Sequence, residues 1–307
     1  MITTITLNPS VDRRYMIDDF EAGQIFRTSS YGATAGGKGL NVTRVASALG
    51  EKVLATGLLG GKSGELIEAE LDKVEGVSYD FVKIEGETRS CIAIVSAGGG
   101  QTEILESGPT VFEQDVERFL THYKSLLEKS SIIVASGSIL AGMPKTIYAD
   151  LIKMAKEQNV PFLLDTSGIA LQEGIKAGPT LVKSNLEELE AYVGRKLVNE
   201  ADVVRAGKQL AENGIVYVVI SLGGEGSIVI HHNKVYRVRL PKVEVINPVG
   251  SGDSMVAGFA VGLARNYDLI QTIKLASASG TANAVEQSTG SINLEKVEEL
   301  IGQIVVE

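Results

Sequence analysis

Short, nearly continuous apolar runs rich in valine and isoleucine recur along this chain, with polar or turn-forming residues between them. A strand that is buried on both faces has this pattern, because neither face carries the polar residues of a solvated one. The sequence therefore predicts buried strands at 2–7, 53–56, 132–135, 162–165, 180–182 and 216–221.

Between most of these runs, apolar residues instead recur every three to four positions, which indicates helices with one buried face. The predicted helices span 39–49, 65–73, 112–128, 146–159, 186–193, 202–213, 254–265 and 269–284. Strands that alternate with helices favour an α/β fold with a doubly wound, mostly parallel sheet and helices on both of its faces.

Two segments interrupt this alternation. Residues 15–31 are polar and strand-like, and residues 89–106 alternate like a half-exposed hairpin around a glycine-rich turn at 97–100. Neither segment can form a core by itself, so we expect them to pair into a small sheet that projects from the main domain and covers its cleft. This predicts a lid whose segments lie near 12–33 and 88–107.

Length and composition favour one large domain. The chain has 307 residues, of which 44% are hydrophobic, and it shows no repeat or long linker. We therefore predict a single domain over 1–307 with the lid inserted in it.

The net charge of −9 argues against a nucleic acid or an anionic membrane as partner, although a local basic pocket could still bind a phosphorylated metabolite. Cys91 is the only cysteine, so neither an internal disulfide nor a cysteine zinc cluster is possible. The first residues lack the pattern of a secretory signal, and no apolar stretch reaches the roughly 18 residues of a membrane span. These features predict a cytoplasmic protein.

A glycine-rich turn at 247–253 precedes a long apolar segment. Gly250 and Gly252 would let backbone N–H groups point at one place, where the start of the following helix adds unpaired donors around Ser251. Such a cradle binds phosphate, and Asp253 beside it would repel a resting phosphate, so its presence requires a reason. A general base for a hydroxyl that attacks a phosphoryl group would be one. The alternative is that Asp253 merely caps the helix.

A second glycine cluster opens the helix predicted at 39–49. Gly36 and Gly37 allow close approach of a ligand, and Lys38 and Asn41 offer a cation and an amide on one helical face. A polar, anionic ligand would fit there, although tight packing of helix on sheet also explains the glycines.

Two weaker patterns point to a nucleotide. Asn185 and Glu188 have the spacing of a capping box, or alternatively Glu188 lies near Mg²⁺ and nucleotide phosphates, acting through water. Ser221, Gly223 and Gly226 suit either a glycine-rich hairpin or a loop over which a nucleotide lies.

Taken together, four segments resemble the ribokinase-like (PfkB) carbohydrate kinases, in the order and spacing of that family and across essentially the whole chain. They are NPSVD at 8–12, AGGKGLNV at 35–42, NLEE at 185–188 and NPVGSGD at 247–253. Within the family, the segments at 34–45, 54–58, 86–89 and 101–106 are most similar to tagatose-6-phosphate kinases, and 1-phosphofructokinases share most of them.

The resemblance implies a ribokinase-like fold, ATP and Mg²⁺ as cosubstrate and cofactor, and transfer of phosphate to the C1 hydroxyl of a ketohexose 6-phosphate. The alternative is transfer to fructose 1-phosphate, and a sugar-phosphate sensor without catalysis is disfavoured because Asp253 is retained. A nucleoside kinase would need an aromatic acceptor pocket in place of Lys38 and Arg89. A homodimer formed through the lid is a further expectation.

The resemblance also implies residue roles. The base would be Asp253, with the anion hole at Gly250, Ser251 and Gly252. Sugar and sugar phosphate would be held by Asp12, Arg27, Gly36, Gly37, Lys38, Asn41, Arg89 and Ser138. The ATP and Mg²⁺ side would comprise Lys183, Asn185, Glu188 (through water), Ser221, Gly223, Gly226, Val249 and Asn283. One departure stands out: the family commonly has GSLPKG where this chain has GSILAG at 137–142, so one lysine is missing.

Overall fold

The computed structural model describes residues 1–96 and 100–307. The chain passes from the main sheet to a smaller one soon after its first strand. The strands are β1 (Ile2–Thr6), β2 (Ser10–Met16), β3 (Tyr31–Gly36), β4 (Val53–Leu59), β5 (Val77–Tyr79), β6 (Val82–Lys83), β7 (Arg89–Val95), β8 (Gln101–Leu105), β9 (Ile132–Ser136), β10 (Phe162–Asp165), β11 (Leu181–Asn185), β12 (Tyr217–Ser221), β13 (Ser227–His231), β14 (Lys234–Arg239) and β15 (Val305–Val306).

The helices alternate with the strands of the main sheet, as the periodicity predicts. They are α1 (Lys38–Ala48), α2 (Gly61–Leu71), α3 (Glu113–Leu127), α4 (Ile147–Glu157), α5 (Gly168–Lys176), α6 (Leu186–Val193), α7 (Glu200–Ala211), α8 (Ser251–Ala264), α9 (Leu269–Ala284) and α10 (Leu294–Gln303). None of the helices in the described ranges is both long and apolar enough to cross a membrane.

The main sheet has the order β15-β14-β13-β12-β11-β10-β9-β1-β4-β5, with β6 also paired to β4. Strands β4, β1, β9, β10, β11 and β12 run parallel, and β13 to β15 extend the sheet as an antiparallel edge. Helices cover both faces over two apolar clusters, one around Phe119 and Tyr148, the other around Val256 and Phe259. The predicted doubly wound α/β fold is confirmed, because its strands are buried from both sides.

The small sheet has the order β3-β2-β7-β8. Strand β2 lies antiparallel to β3 and parallel to β7, with Ser10 opposite Arg89. The predicted small sheet is therefore present, but the prediction of strand character across 15–31 is wrong. Residues 17–30 contain no strand, and the β-structure flanks them, because β2 begins within the NPSVD motif. Of the predicted turn at 97–100, residues 97–99 lie outside the described part of the chain.

The structure also contains two helices that the periodicity did not predict, α5 and α10. The N-cap of α10 is Asn293, whose side chain accepts from the Lys296 N–H, a signal that was readable in the sequence. Helix α2 begins at Gly61, four residues before the predicted start. The Glu87 carboxylate, 25 residues away in sequence, accepts from the Lys62 N–H and so satisfies this extra turn.

Candidate active site

The polar residues of interest gather at the carboxyl edge of the parallel strands. Asp165 ends β10, Lys183 lies in the neighbouring β11, and the first turns of α1 and α8 lie beside them. Parallel strands bring their carboxyl ends to one edge, which is where ligands bind in open α/β sheets. The two glycine clusters, more than 200 residues apart in sequence, meet there.

The turn before α8 has the geometry of an anion cradle. Gly250 has φ +85°, a left-handed conformation that favours glycine, and α8 begins at Ser251. Within the described chain, the backbone N–H groups of Gly252 and Asp253 have no hydrogen-bond acceptor. Two donors at the positive end of a helix therefore remain free for an anionic group.

Asp253 lies in the first turn of α8 and is 5% exposed. Its Oδ2 accepts a hydrogen bond from Asn41 Nδ2 at 2.7 Å. The side chain makes no capping bond to the helix, whose N-cap is Gly250. The alternative of a simple capping aspartate is therefore wrong.

The surroundings of Asp253 suit a general base. Burial and, after it, the negative charge of Asp165 raise its pKa to about 6, whereas Lys38, the Asn41 hydrogen bond and Lys183 act in the opposite direction. A carboxyl with this pKa is mostly ionised at pH 7 yet basic enough to take up a proton.

Asp165 connects two lysines, and the sequence patterns did not predict a role for it. It is fully buried, with Lys183 Nζ at 3.3 Å from Oδ2 and Lys38 Nζ at 3.6 Å from Oδ1. Burial alone would raise the pKa of Asp165, but the two ammonium groups lower it below its usual value, and Asp165 in turn raises the pKa of Lys38. Its position as a lone acid at the end of a predicted buried strand was the only signal in the sequence.

Strand β2, the end of β3 and the start of α1 lie together at the side of the site that was predicted to bind the sugar. A Cβ at Gly36 would collide with the Asp12 carboxylate, and Gly37 has φ +105°. Burial raises the pKa of Asp12, which a hydrogen bond from the Ser10 hydroxyl at 2.6 Å opposes. Close packing against Asp12 thus requires glycine at position 36, and the positive φ favours glycine at position 37.

Arg89 and Arg27 were predicted to hold the sugar phosphate together with Lys38, and Ser138 was predicted to bind the substrate. The Arg89 guanidinium donates to the carbonyls of Asn8 (3.1 Å) and Glu106 (3.0 Å), while its buried Nε has no partner in the described residues. Ser138 Oγ accepts from the Asn8 amide at 3.2 Å. Arg27 is exposed in the 17–30 segment, and it shares no hydrogen-bond partner with Arg89 or Ser138 among the described residues.

On the proposed nucleotide side, the Asn185 and Glu188 side chains form the capping box of α6, each accepting from the other's backbone N–H at 2.8–2.9 Å. Asn283 donates to the Val249 carbonyl at 2.8 Å and thereby supports the cradle turn. These contacts are structural, and they leave the predicted ligand roles of the three polar side chains untested.

The hairpin after β12 contains Ser221, Gly223 and Gly226. Gly226 has φ +93°, and a Cβ there would collide with the Val238 carbonyl, so strand packing already requires this glycine. Gly223 has φ +59°, and a Cβ at this position would meet no atom within 4 Å, which leaves its face open. The space beside Gly223 is therefore open, and the nucleotide role of this loop stays a prediction.

Comparison with known proteins identifies the family. The sequence matches the model for "pfkB family carbohydrate kinase" over residues 2–296. It is 44% identical to a tagatose-6-phosphate kinase of Staphylococcus epidermidis, over 100% of this chain and 99% of that protein.

Solved structures agree. A protein described as a possible 1-phosphofructokinase from Thermotoga maritima is 31% identical, with a TM-score of 0.91 over 100% of this chain and 98% of the other. Arabidopsis thaliana ribokinase, complexed with ribose and ATP, shares the fold at 20% identity, with a TM-score of 0.79 over 98% of each chain. Since the match runs through the acceptor-side glycines, the carboxyl edge and the cradle alike, the chain belongs to the pfkB family of carbohydrate kinases.

Proposed function

We propose that this protein transfers the γ-phosphoryl group of ATP to the C1 hydroxyl of a ketohexose 6-phosphate, with D-tagatose 6-phosphate as the leading substrate and its 1,6-bisphosphate as product. The observation that carries this is the buried Asp253 beside two unpaired backbone N–H groups at a helix start. The 44% identical tagatose-6-phosphate kinase supports the choice of sugar.

In this reaction Asp253 accepts the hydroxyl proton as the sugar oxygen attacks the γ-phosphorus. The N–H groups of Gly252 and Asp253 stabilise negative charge on the transferring group, assisted by Gly250 and Ser251 in the cradle turn. Lys38, with a side chain 40% exposed at the edge of the site, is placed to contact phosphate. Asp12, Gly36, Gly37 and Asn41 hold sugar hydroxyls, and Ser138, Arg89 and Arg27 complete the sugar-phosphate side.

ATP lies along the other side, bounded by Lys183, Asn185, Ser221, Gly223, Gly226, Val249 and Asn283. The described residues contain no cluster of three or more His, Cys, Asp or Glu side chains suited to a metal. This fits Mg²⁺, which keeps much of its water shell and binds chiefly through substrate phosphates, with Glu188 as an outer partner. When bound, Mg²⁺ neutralises phosphate charge in the transfer.

A 1-phosphofructokinase is the second candidate, favoured by the structural match to the Thermotoga protein. A coupled ADP-release assay across tagatose 6-phosphate, fructose 6-phosphate, fructose 1-phosphate and the unphosphorylated sugars separates the two. We expect the highest kcat/KM with tagatose 6-phosphate, and phosphorus NMR should show the new phosphate on C1. Higher kcat/KM with fructose 1-phosphate would establish the alternative, and tight sugar-phosphate binding without turnover would indicate a sensor.

For the Arg89→Ala variant, we expect KM for the phosphorylated sugar to rise about 10- to 100-fold and KM for ATP to change little. The reason is that a hydrogen bond to a charged group, of roughly 1.5–3 kcal/mol, is lost on one substrate only. Steady-state kinetics with each substrate varied in turn measures this. Equal rises in both KM values, with a lower melting temperature, would mean that the role of Arg89 is structural, through its hydrogen bonds to the Asn8 and Glu106 carbonyls.

We further propose that the small sheet is a lid over the acceptor site within the single domain of 1–307, and that it packs in a homodimer. Large apolar side chains on its segments are exposed: Ile25 (85%), Tyr31 (71%), Ile104 (53%) and Leu105 (62%). Exposed apolar side chains on a small sheet and its connecting loop require cover, by substrate, by the main domain or by a second subunit. We place the enzyme in the cytoplasm, where ATP is available.

Hydrogen exchange tests the lid. We expect amides of β2, β3, β7 and β8 to exchange faster than those of β1 and β9 in the free protein, and to gain protection with tagatose 6-phosphate or on dimerisation. If a monomeric, ligand-free sample already protects both groups of strands equally, the small sheet belongs to the rigid main domain.

A further inference from the structure

Arg44, in the second turn of α1, joins three separate parts of the site. Its guanidinium donates to the carbonyl of Ala35 at the end of β3, to Asn41 Oδ1 at 2.6 Å, and to the carbonyl of Thr289 at 3.1 Å. Burial lowers its pKa, which the negative charges of Asp12 and Asp253 oppose. The sequence patterns predicted no role for this arginine.

The contact with Asn41 determines which way that amide faces. A guanidinium has only donors, so the oxygen of the amide must face Arg44. The amide nitrogen is thereby directed at Asp253 Oδ2, to which it donates at 2.7 Å. Released from Arg44, the amide could turn over and present its oxygen to the carboxylate, which would repel it.

We propose that Arg44 is a positioning residue for phosphoryl transfer, which locks the Asn41 amide in the orientation that donates to Asp253. Oδ2 of Asp253 is then occupied, and Oδ1, which accepts no hydrogen bond from the described residues, is left for the substrate hydroxyl. This role rests on the proposed function, because it presumes that Asp253 is the base.

The same guanidinium also links the base to the phosphate cradle. Thr289 precedes Gly290, whose N–H donates to Asn283 Oδ1 at 2.8 Å, and Asn283 in turn donates to the Val249 carbonyl. A Cβ at Gly290 would lie 2.9 Å from both Arg44 Nη2 and the Asn41 Cα, so the segment packs directly on this pair. Arg44 thus fixes the position of the end of β3 and the start of α1 relative to the cradle turn before α8.

The Asn41 hydrogen bond stabilises ionised Asp253, so its loss should raise the pKa of that carboxyl. Other charges also act on the pair and must be separated from this effect. The charged groups that face Asp253 or Arg44 are Asp12 from β2, Lys38 from α1, Glu70 from α2, Asp165 from β10 and Lys183 from β11.

The test is a double-mutant cycle of Arg44→Met and Asn41→Ala, with kcat/KM followed from pH 5 to 9 for the sugar phosphate that turns over best. This parameter reports ionisation in the free enzyme and in the free substrate. The sugar phosphate itself titrates at about pH 6, but it does so equally for every variant, so differences between variants report on the enzyme. Each single variant should move the acid limb upward from about pH 6 by about one unit, since a hydrogen bond to a charged group is lost. KM for ATP should change less than about twofold, and Arg44→Met should shift the limb little further once Asn41 is alanine.

An equal shift from Arg44→Met in the wild-type and Asn41→Ala backgrounds would mean that Arg44 acts by charge alone and would overturn the proposal. So would a lower melting temperature with an unmoved acid limb. Should Arg44→Met fold poorly, Arg44→Gln offers an amide that can present either a donor or an acceptor to Asn41, so we still expect the limb to move. An unmoved limb in Arg44→Gln would likewise contradict the role.

Arg14→Met is the matched control. Arg14 also donates to a carbonyl near the end of α9, that of Gln287 at 2.9 Å, but makes no contact with Asn41, so its acid limb should match the wild type. The Asp253→Asn variant distinguishes a failure of the Arg44 proposal from a failure of the proposed function. If that variant is inactive while Arg44→Met leaves the limb in place, only the role of Arg44 is wrong; if it is fully active, the proposed base is wrong.

Discussion

Replacing Asp253 by asparagine should lower kcat by on the order of 10² or more and leave ATP binding largely intact. Asparagine keeps the size of the side chain and a hydrogen bond to Asn41, but it cannot accept the hydroxyl proton. Turnover in the coupled assay and nucleotide titration measure the two effects.

The same variant should be at least as stable as the wild type above pH 6. In the folded protein the pKa of Asp253 is raised from 3.8 to about 6, so its favourable contribution is present below pH 4 and disappears as pH rises through 6. At pH 8 the wild type therefore carries a cost of up to about 3 kcal/mol that asparagine avoids. Melting curves at pH 5 and pH 8 should show the variant gaining more on the wild type at the higher pH.

Asp150→Asn offers a control, because Asp150 is a partly exposed carboxylate paired with Lys153 on α4 and is not among the charges that act on Asp253. It should change neither kcat nor the pH dependence of melting appreciably. Near-normal turnover of Asp253→Asn would remove Asp253 from the base role whatever its stability.

Replacing Asp165 by asparagine should destabilise the protein by about 3–5 kcal/mol near pH 7, because it leaves the Lys183 ammonium, 6% exposed, without its carboxylate. The pKa of Asp165 is lowered in the fold, so its contribution is present above pH 4 and is lost as pH falls below that value. Denaturant unfolding at pH 7 and at the lowest pH where both proteins fold should show the difference shrinking with acid.

A compensating change provides the control. Adding Lys183→Met to Asp165→Asn removes the buried ammonium group that has lost its carboxylate. We expect the double variant to recover much of the lost stability. Glu65→Gln, which breaks the exposed pair with Lys62, should cost less than about 1 kcal/mol. A small cost for Asp165→Asn with no recovery in the double variant would contradict a central role for Asp165 in holding the two lysines.

Local sequence patterns predicted the strands and most helices of the main sheet because the forces that select them are local. A strand such as β9 is apolar from Ile132 to Ala135 because both its faces are covered, and α3 has a buried residue every three to four positions. The prediction of strand over 15–31 was wrong because weak alternation there had no burial to support it, whereas β2 takes its register from β7, some 80 residues away.

Some features of the site were likewise predictable from local sequence, and others were not. Gly250 and the helix starts were readable, because backbone conformation and unpaired N–H groups depend on a few adjacent residues. Asp165 and Arg44 were not, because a single acid ending a strand and a single arginine inside a helix have no local pattern. Their chemistry comes from partners that only folding brings within reach.

By itself, then, the sequence determined the α/β alternation, the two glycine-rich helix starts and the family to which they belong. Only the tertiary structure decided that Asn41 donates to Asp253, that Asp165 binds both Lys38 and Lys183, and that Arg89 holds backbone carbonyls. The physical reason is that burial and charge at a site are sums over neighbours distant in sequence. A pKa near 6 for Asp253 therefore exists only once β10, β11, α1 and α8 have packed against one another.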